Sequence, residues 1–192
     1  MQANKTKLKK RADAKGGRLD LSAESKLPEG LRNNPYLVPS TNLIYANEHK
    51  LKIARDMLER YTGSPPSSFK KQIILTNFDY YLDRFNSLCG DERTQGSAMA
   101  VVHSTKADVS IIDFSIGSPT AALIIELLAS IDPKAVLLVG MCGGLHRSLK
   151  VGDFIVPTAA IRDEGASRHF MPAQVPALPT FKIQKFVSQI VM

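Results

Sequence analysis

From Gln72 onward, short unbroken apolar runs alternate with stretches whose apolar residues recur every three or four positions. This rhythm limits the fold more than any other feature. A run of four to six apolar residues suits a strand buried on both faces, whereas the three-four recurrence marks a helix with one buried stripe. Strands are expected at Gln72–Thr76, Ala98–His103, Val109–Phe114, Ala135–Val139 and Val151–Val156. Helices are expected at Tyr80–Leu88, Pro119–Ile131 and Phe181–Val191, the second with proline in its first turn, where the missing N–H costs nothing. An earlier helix is expected from about Asn47 to Tyr61, with Leu51, Ile53, Ala54, Leu58 and Tyr61 at helical steps. Thr62-Gly63-Ser64-Pro65-Pro66 stops it. Strands alternating with helices in this way predict an α/β sandwich with a mostly parallel or mixed central sheet.

The net charge of +7 invites a nucleic-acid reading until it is mapped. Residues 1–32 hold nine Lys or Arg against four Asp or Glu, so the remaining 160 residues carry little excess charge. Residues 1–46 therefore read as a basic, disordered segment, and residues 47–192 as the folded part. No finger spacing or aromatic interleaving accompanies the basic tail, so nucleic acid is disfavoured as a partner. No apolar run approaches the roughly 20 residues that span a bilayer, and no signal-peptide core is present, which disfavours a membrane. Two cysteines without CxxC spacing fit a reducing cytoplasm. The four histidines lack metal-ligand spacing, and no cofactor is implied.

Three corners that follow expected strands carry the candidate chemistry, since ligands gather at strand ends in α/β sheets. The first is Ser115-Ile116-Gly117-Ser118-Pro119, where Gly117 admits close backbone approach. Ser118 there either caps the helix or donates to a phosphate or sugar oxygen. The second is Gly140-Met141-Cys142-Gly143-Gly144, which is neither a dinucleotide fingerprint nor a P-loop; Cys142 reads better as a small buried thiol than as a nucleophile. The third runs from Ile161 to Phe170, in which Arg162 and Glu164 either pair or address a polar ligand. His103, near a strand end, reads either as a ligand contact or, the better expectation, as a hydrogen-bonded structural histidine.

In order along the chain stand Glu59-Arg60-Tyr61-Thr62-Gly63, Leu75-Thr76-Asn77-Phe78 and Gly117-Ser118-Pro119. Cys142-Gly143-Gly144-Leu145 and Val151-Gly152-Asp153-Phe154-Ile155-Val156-Pro157 follow. Ala159-Ala160-Ile161-Arg162-Asp163-Glu164-Gly165-Ala166-Ser167 and Val175-Pro176-Ala177-Leu178-Pro179 complete the set. This ordered set, spanning about Glu48 to Val191, resembles the nucleoside phosphorylase and nucleosidase superfamily, most closely the AMP nucleosidases. The resemblance implies a three-layer α/β/α sandwich with a central mixed sheet, phosphorylase/hydrolase-like and incomplete at its C-terminus. It implies hydrolysis of AMP to adenine and ribose 5-phosphate in a homo-oligomer. It also implies substrate contacts at Asn77, Ser115, Gly117, Ser118, Cys142, Gly143, Gly144, Arg162 and Glu164.

Phosphorylases of the superfamily carry arginines after the first strand and before the second glycine corner. Here those places read Asn77-Phe78-Asp79-Tyr80-Tyr81 and Leu138-Val139-Gly140. Their absence favours water over phosphate as the nucleophile, with Arg84 left as a further candidate for a phosphate contact. The alternatives are a nucleoside phosphorylase, a 5′-methylthioadenosine-type nucleosidase, or a non-catalytic nucleotide-binding or assembly fragment. By the same resemblance, the residue that protonates the departing purine lies beyond Met192. Losing a general acid alone costs about 10²–10⁴-fold, so the isolated 192-residue chain is expected to be nearly inactive. The reading requires Gly117, Gly143 and Glu164 to converge on one side of a shared sheet.

Overall fold

The computed structural model describes residues 48–191; the basic segment at 1–46 lies outside the described residues. Four α-helices and five strands follow: α1 (Glu48–Thr62), β1 (Gln72–Thr76), α2 (Asp79–Cys89), β2 (Arg93–Gln95), β3 (Ala100–Ser104), β4 (Val109–Asp113), α3 (Ser118–Leu128), β5 (Ala135–Leu138) and α4 (Phe181–Val191). Short 3₁₀ turns occupy Pro66–Ser68, Ala129–Ile131 and Ala166–His169. The strands form one mixed sheet in the order β2-β3-β4-β1-β5. β1 runs parallel to both β4 and β5, while β3 is antiparallel to β4 and to β2.

Alternating side chains divide the core in two, as the strand period of two requires. Ile73, Leu75, Val101 and Ile112 point to one face, where they meet Ala54 and Leu58 of α1 and Ile124, Leu127 and Leu128 of α3. Ala100, Val102 and Ile111 point to the other, where Leu82 of α2 closes over them, with Ile74, Tyr81 and Phe85 alongside. Two helices below and one above give the three layers of an α/β/α sandwich. The buried stripe of α1 is Ala54, Leu58 and Thr62, spaced by four. Ile53, counted in that stripe from the sequence, is instead 44% exposed. The Thr62 hydroxyl donates to the Leu58 carbonyl at 2.7 Å, which satisfies a polar group at the centre of the packing.

Two elements depart from the sequence reading. β2 is a strand of three mostly polar residues, too short and too polar for periodicity to reveal. Its Arg93 reaches Asp79 and Asp83 of α2 at 2.5 and 2.6 Å and pins the strand to the helix. Val151–Val156, expected to be a strand, has no regular structure, and Val151 and Phe154 are exposed. A strand exists only by pairing with a neighbour. No described hydrogen bond joins this segment to β5, whose outer edge has no strand beside it among the described residues. Beyond β5 the main-chain pairing reduces to one bridge, between Ala160 and Ala177. No helix among the described residues is long and apolar enough to cross a membrane.

Candidate functional site

Because β4, β1 and β5 are adjacent and parallel, their carboxyl ends open onto a single edge of the sheet. Register keeps the ends level: Thr76 lies opposite Asp113, and Leu75 opposite Leu138. The ladder continues one step into the corners, with Phe114 N–H donating to the Thr76 carbonyl and Val139 N–H to that of Leu75, at 3.0 and 2.8 Å. Asn77, Ser115–Gly117 and Gly140 therefore leave the sheet side by side. A Cβ on Gly140 would sit 3.4 Å from Asn77 Oδ1, so the bare backbone there leaves the amide its place.

The β4–α3 corner is the most shaped of the three. Asp113 Oδ1 accepts from the Ser115 N–H at 2.8 Å and holds Ser115 at φ 64°, an uncommon conformation for a residue with a side chain. Gly117 follows at φ 106° and is itself the N-cap of α3, with no side-chain capping bond. Ser118 is thus the first helical residue rather than the cap, and α3 begins with main-chain N–H groups that no side chain covers. The Ser115 hydroxyl is already engaged, donating to the Ala98 carbonyl at 3.2 Å.

The other expected contacts stand apart from this corner. Cys142, Gly143 and Gly144 follow β5 in an exposed stretch without regular structure. Nothing approaches within 4 Å of a Cβ built on Gly143, and Gly144 faces the Leu149 side chain. Cys142 is exposed rather than buried, because the chain after Val139 has left the sheet and no layer covers it. Arg162 is 7% exposed and turned inward. Its guanidinium donates to the carbonyls of Ser167, Met171, Pro172 and Val175, closing a loop around itself. Glu164 stands exposed on that loop and accepts from the Ser167 N–H at 2.9 Å; hydrogen bonding by Ser167 holds its carboxyl below the usual carboxylate range. The 3₁₀ turn of this loop packs against α3, the helix that Gly117 caps. Gly117 and the Glu164 loop are thus joined through α3.

Sequence reasoning missed two polar devices. Asp113 ends a strand and reads as an ordinary turn residue, yet it fixes Ser115. Arg93 has no motif around it, although the i, i+4 pair Asp79 and Asp83 on the facing helix was a usable signal. His103 is a structural histidine as read. Its ring bonds the hydroxyls of Ser110 at 2.8 Å and Ser64 at 3.1 Å and meets Phe69 edge to face.

A profile of the phosphorylase superfamily matches residues 74–191, from the first strand through the last helix. The chain belongs to the phosphorylase superfamily. The crystal structure of AMP nucleosidase from Bacteroides thetaiotaomicron is similar at 38% identity and a TM-score of 0.69, covering 73% of this chain and 61% of that one. Guanosine phosphorylase of Halorubrum lacusprofundi is 32% identical over 104 residues, 52% of this chain and 43% of its own length. AMP nucleosidase of Escherichia coli is 23% identical over 164 residues, 67% of this chain and 34% of its own. The chain thus spans less than half the length of either curated relative, and the superfamily match agrees with the mixed-sheet sandwich described above.

Proposed function

We propose that this chain forms the substrate-binding edge of an N-glycoside hydrolase that splits AMP into adenine and ribose 5-phosphate. The observation that carries the reading is the 38% identity to an AMP nucleosidase over 73% of the chain. In this reading the open N–H groups at the start of α3, with Ser118, receive an anionic oxygen of the nucleotide, because a helix N-terminus carries about half a positive charge. Asn77 and the bare backbone at Gly140 receive the uncharged part of the ligand. Cys142, Gly143, Gly144 and Glu164 close over it, and Arg162 acts by shaping the loop that presents Glu164.

Departure of the purine leaves positive charge on the sugar, as in other glycoside cleavages, and a water must then add at C1′. Neither Asn77-Phe78 nor Val139-Gly140 supplies a cation for an attacking phosphate, which supports water as the nucleophile. Adenine release should therefore proceed from AMP in preference to adenosine and without inorganic phosphate. Phosphate-dependent formation of ribose 1-phosphate would instead establish a phosphorylase, the reading favoured by the guanosine phosphorylase likeness. Nucleotide binding itself is testable on the 192-residue chain by calorimetry. AMP should bind more weakly to Ser118→Val, and equal binding by the two proteins would remove Ser118 from the site. We further propose that the whole protein works as a homo-oligomer in the cytoplasm.

A further inference from the structure

At the opposite edge of the sheet from these corners, where β1 begins, Arg55, Lys70 and Lys71 border a cleft of about 530 Å³ floored by Phe69 and Ile131. The three cations come from α1 and from the two residues before β1, so the fold, and not a local charge run, brings them together. Each is aimed by neutral oxygen. Arg55 donates from Nε and Nη2 to the Ser130 carbonyl at 3.3 Å. Lys71 Nζ donates to the carbonyls of Ile131 and Asp132 at 2.8 and 2.9 Å. Lys70 Nζ donates to Thr105 Oγ1 at 3.2 Å. None of the three forms an ion pair among the described residues. Asp91, the acid whose charge interacts with Lys70, has one carboxylate oxygen tied to the N–H and hydroxyl of Thr105.

A simpler role for these cations is to cap the carboxyl end of α3 and its 3₁₀ extension. Only Arg55 and Lys71 reach that end, which presents about half a negative charge, so one cation would suffice and roughly one remains in excess, while Lys70 sits on Thr105 with its charge partly offset by Asp91. Donors also remain. An arginine has five N–H groups and an ammonium three, so three on Arg55, two on Lys70 and one on Lys71 have no acceptor in these bonds. The Phe69 and Ile131 floor displaces water from one side, which strengthens the attraction for a compact dianion.

We infer that this cleft is a binding site for a phosphate group, free or carried on a small phosphomonoester, separate from the substrate edge. The test is an amide NMR titration of the full chain with inorganic phosphate, against chloride at matched ionic strength. The amides of residues 67–71 and 130–132 should shift and saturate. Arg55→Gln and Lys71→Gln should each weaken binding by about three- to tenfold, the range expected for one partly exposed charged contact. Lys70→Gln serves as a third variant if Lys71→Gln fails to fold, and Ser118→Ala should leave these shifts unchanged. A hexose phosphate that saturates the same amides more tightly than phosphate assigns a phosphomonoester, and one that leaves them unmoved assigns the free ion. Shifts that never saturate, that chloride reproduces, that fall only on residues 1–32 or 115–120, or that persist at full strength in folded Arg55→Gln and Lys71→Gln would overturn the site. These outcomes are independent of whether the other edge binds AMP.

Discussion

Removing the Arg162 guanidinium would strip hydrogen-bond donors from four carbonyls gathered by one side chain. Arg162→Gln is expected to cost about 1–3 kcal/mol and to open the 162–175 loop to protease before the sheet melts. Limited proteolysis followed by mass mapping would show it. Arg162→Lys should recover only part of the loss, since an ammonium lacks the planar fork that addresses several carbonyls at once. His103 makes a second prediction. Burial, then the nearby Lys70 charge, lowers its pKa below the ordinary histidine value, while Asp91 opposes the shift. The unfolded chain therefore takes up this proton first as the pH falls. Stability should decline on acidification through histidine's ordinary range and level off below the folded-state pKa. Thermal melts between pH 7.5 and 5 should show a flatter profile for His103→Gln than for the wild type. A residue type announces neither behaviour. Arg162 was read as pairing with Glu164 or addressing a polar ligand; its bonds to four carbonyls of its own loop were not legible, because sequence does not show which way a guanidinium turns.

At the scale of elements, the corner before α3 and the stripe of α1 bear different loads. Gly117 holds φ 106° with only Pro119 Cδ near a substituted Cβ, so Gly117→Ala meets backbone strain and no clash. It should cost about 1–3 kcal/mol in chemical denaturation and, if the corner holds the nucleotide, weaken AMP binding as well. Leu58→Ala, by contrast, empties a fully buried position between α1 and the sheet. It should cost about 2–5 kcal/mol with little effect on binding by the folded fraction. Apart from β2, the elements between Glu48 and Leu138 were legible because they pack against the layers of the sandwich, so apolar period and actual burial largely coincide. Val151–Val156 has the same apolar character and none of the pairing, and its β propensity therefore goes unexpressed. β2 is the converse case, a strand made by its neighbour β3 and by Arg93 and not by its own composition.

Across the whole molecule, apolar side chains are unevenly covered. Leu145, Phe154, Ile161 and Phe186 all stand in solvent beyond β5, whereas the large side chains of β3 and β4 are sealed. Exposed apolar surface of this extent binds hydrophobic dyes and promotes association. The native chain should enhance anilinonaphthalene sulfonate fluorescence below its melting temperature, and a variant with Leu145, Phe154 and Phe186 replaced by serine should enhance it much less. Equal enhancement would mean that these side chains are covered in solution.

The two margins of the sheet are not equivalent. On one side, a three-residue strand is bolted to α2 by Arg93; on the other, β5 has no strand partner among the described residues along its outer rank of four apolar residues. Growth of the sheet is thereby directed to a single flank, the one from which Gly140 departs beside Asn77. Any strand that pairs with β5 would stand, by geometry, beside the corner where Gly140 and Asn77 leave the sheet, so pairing at this flank and shielding of that corner would come together.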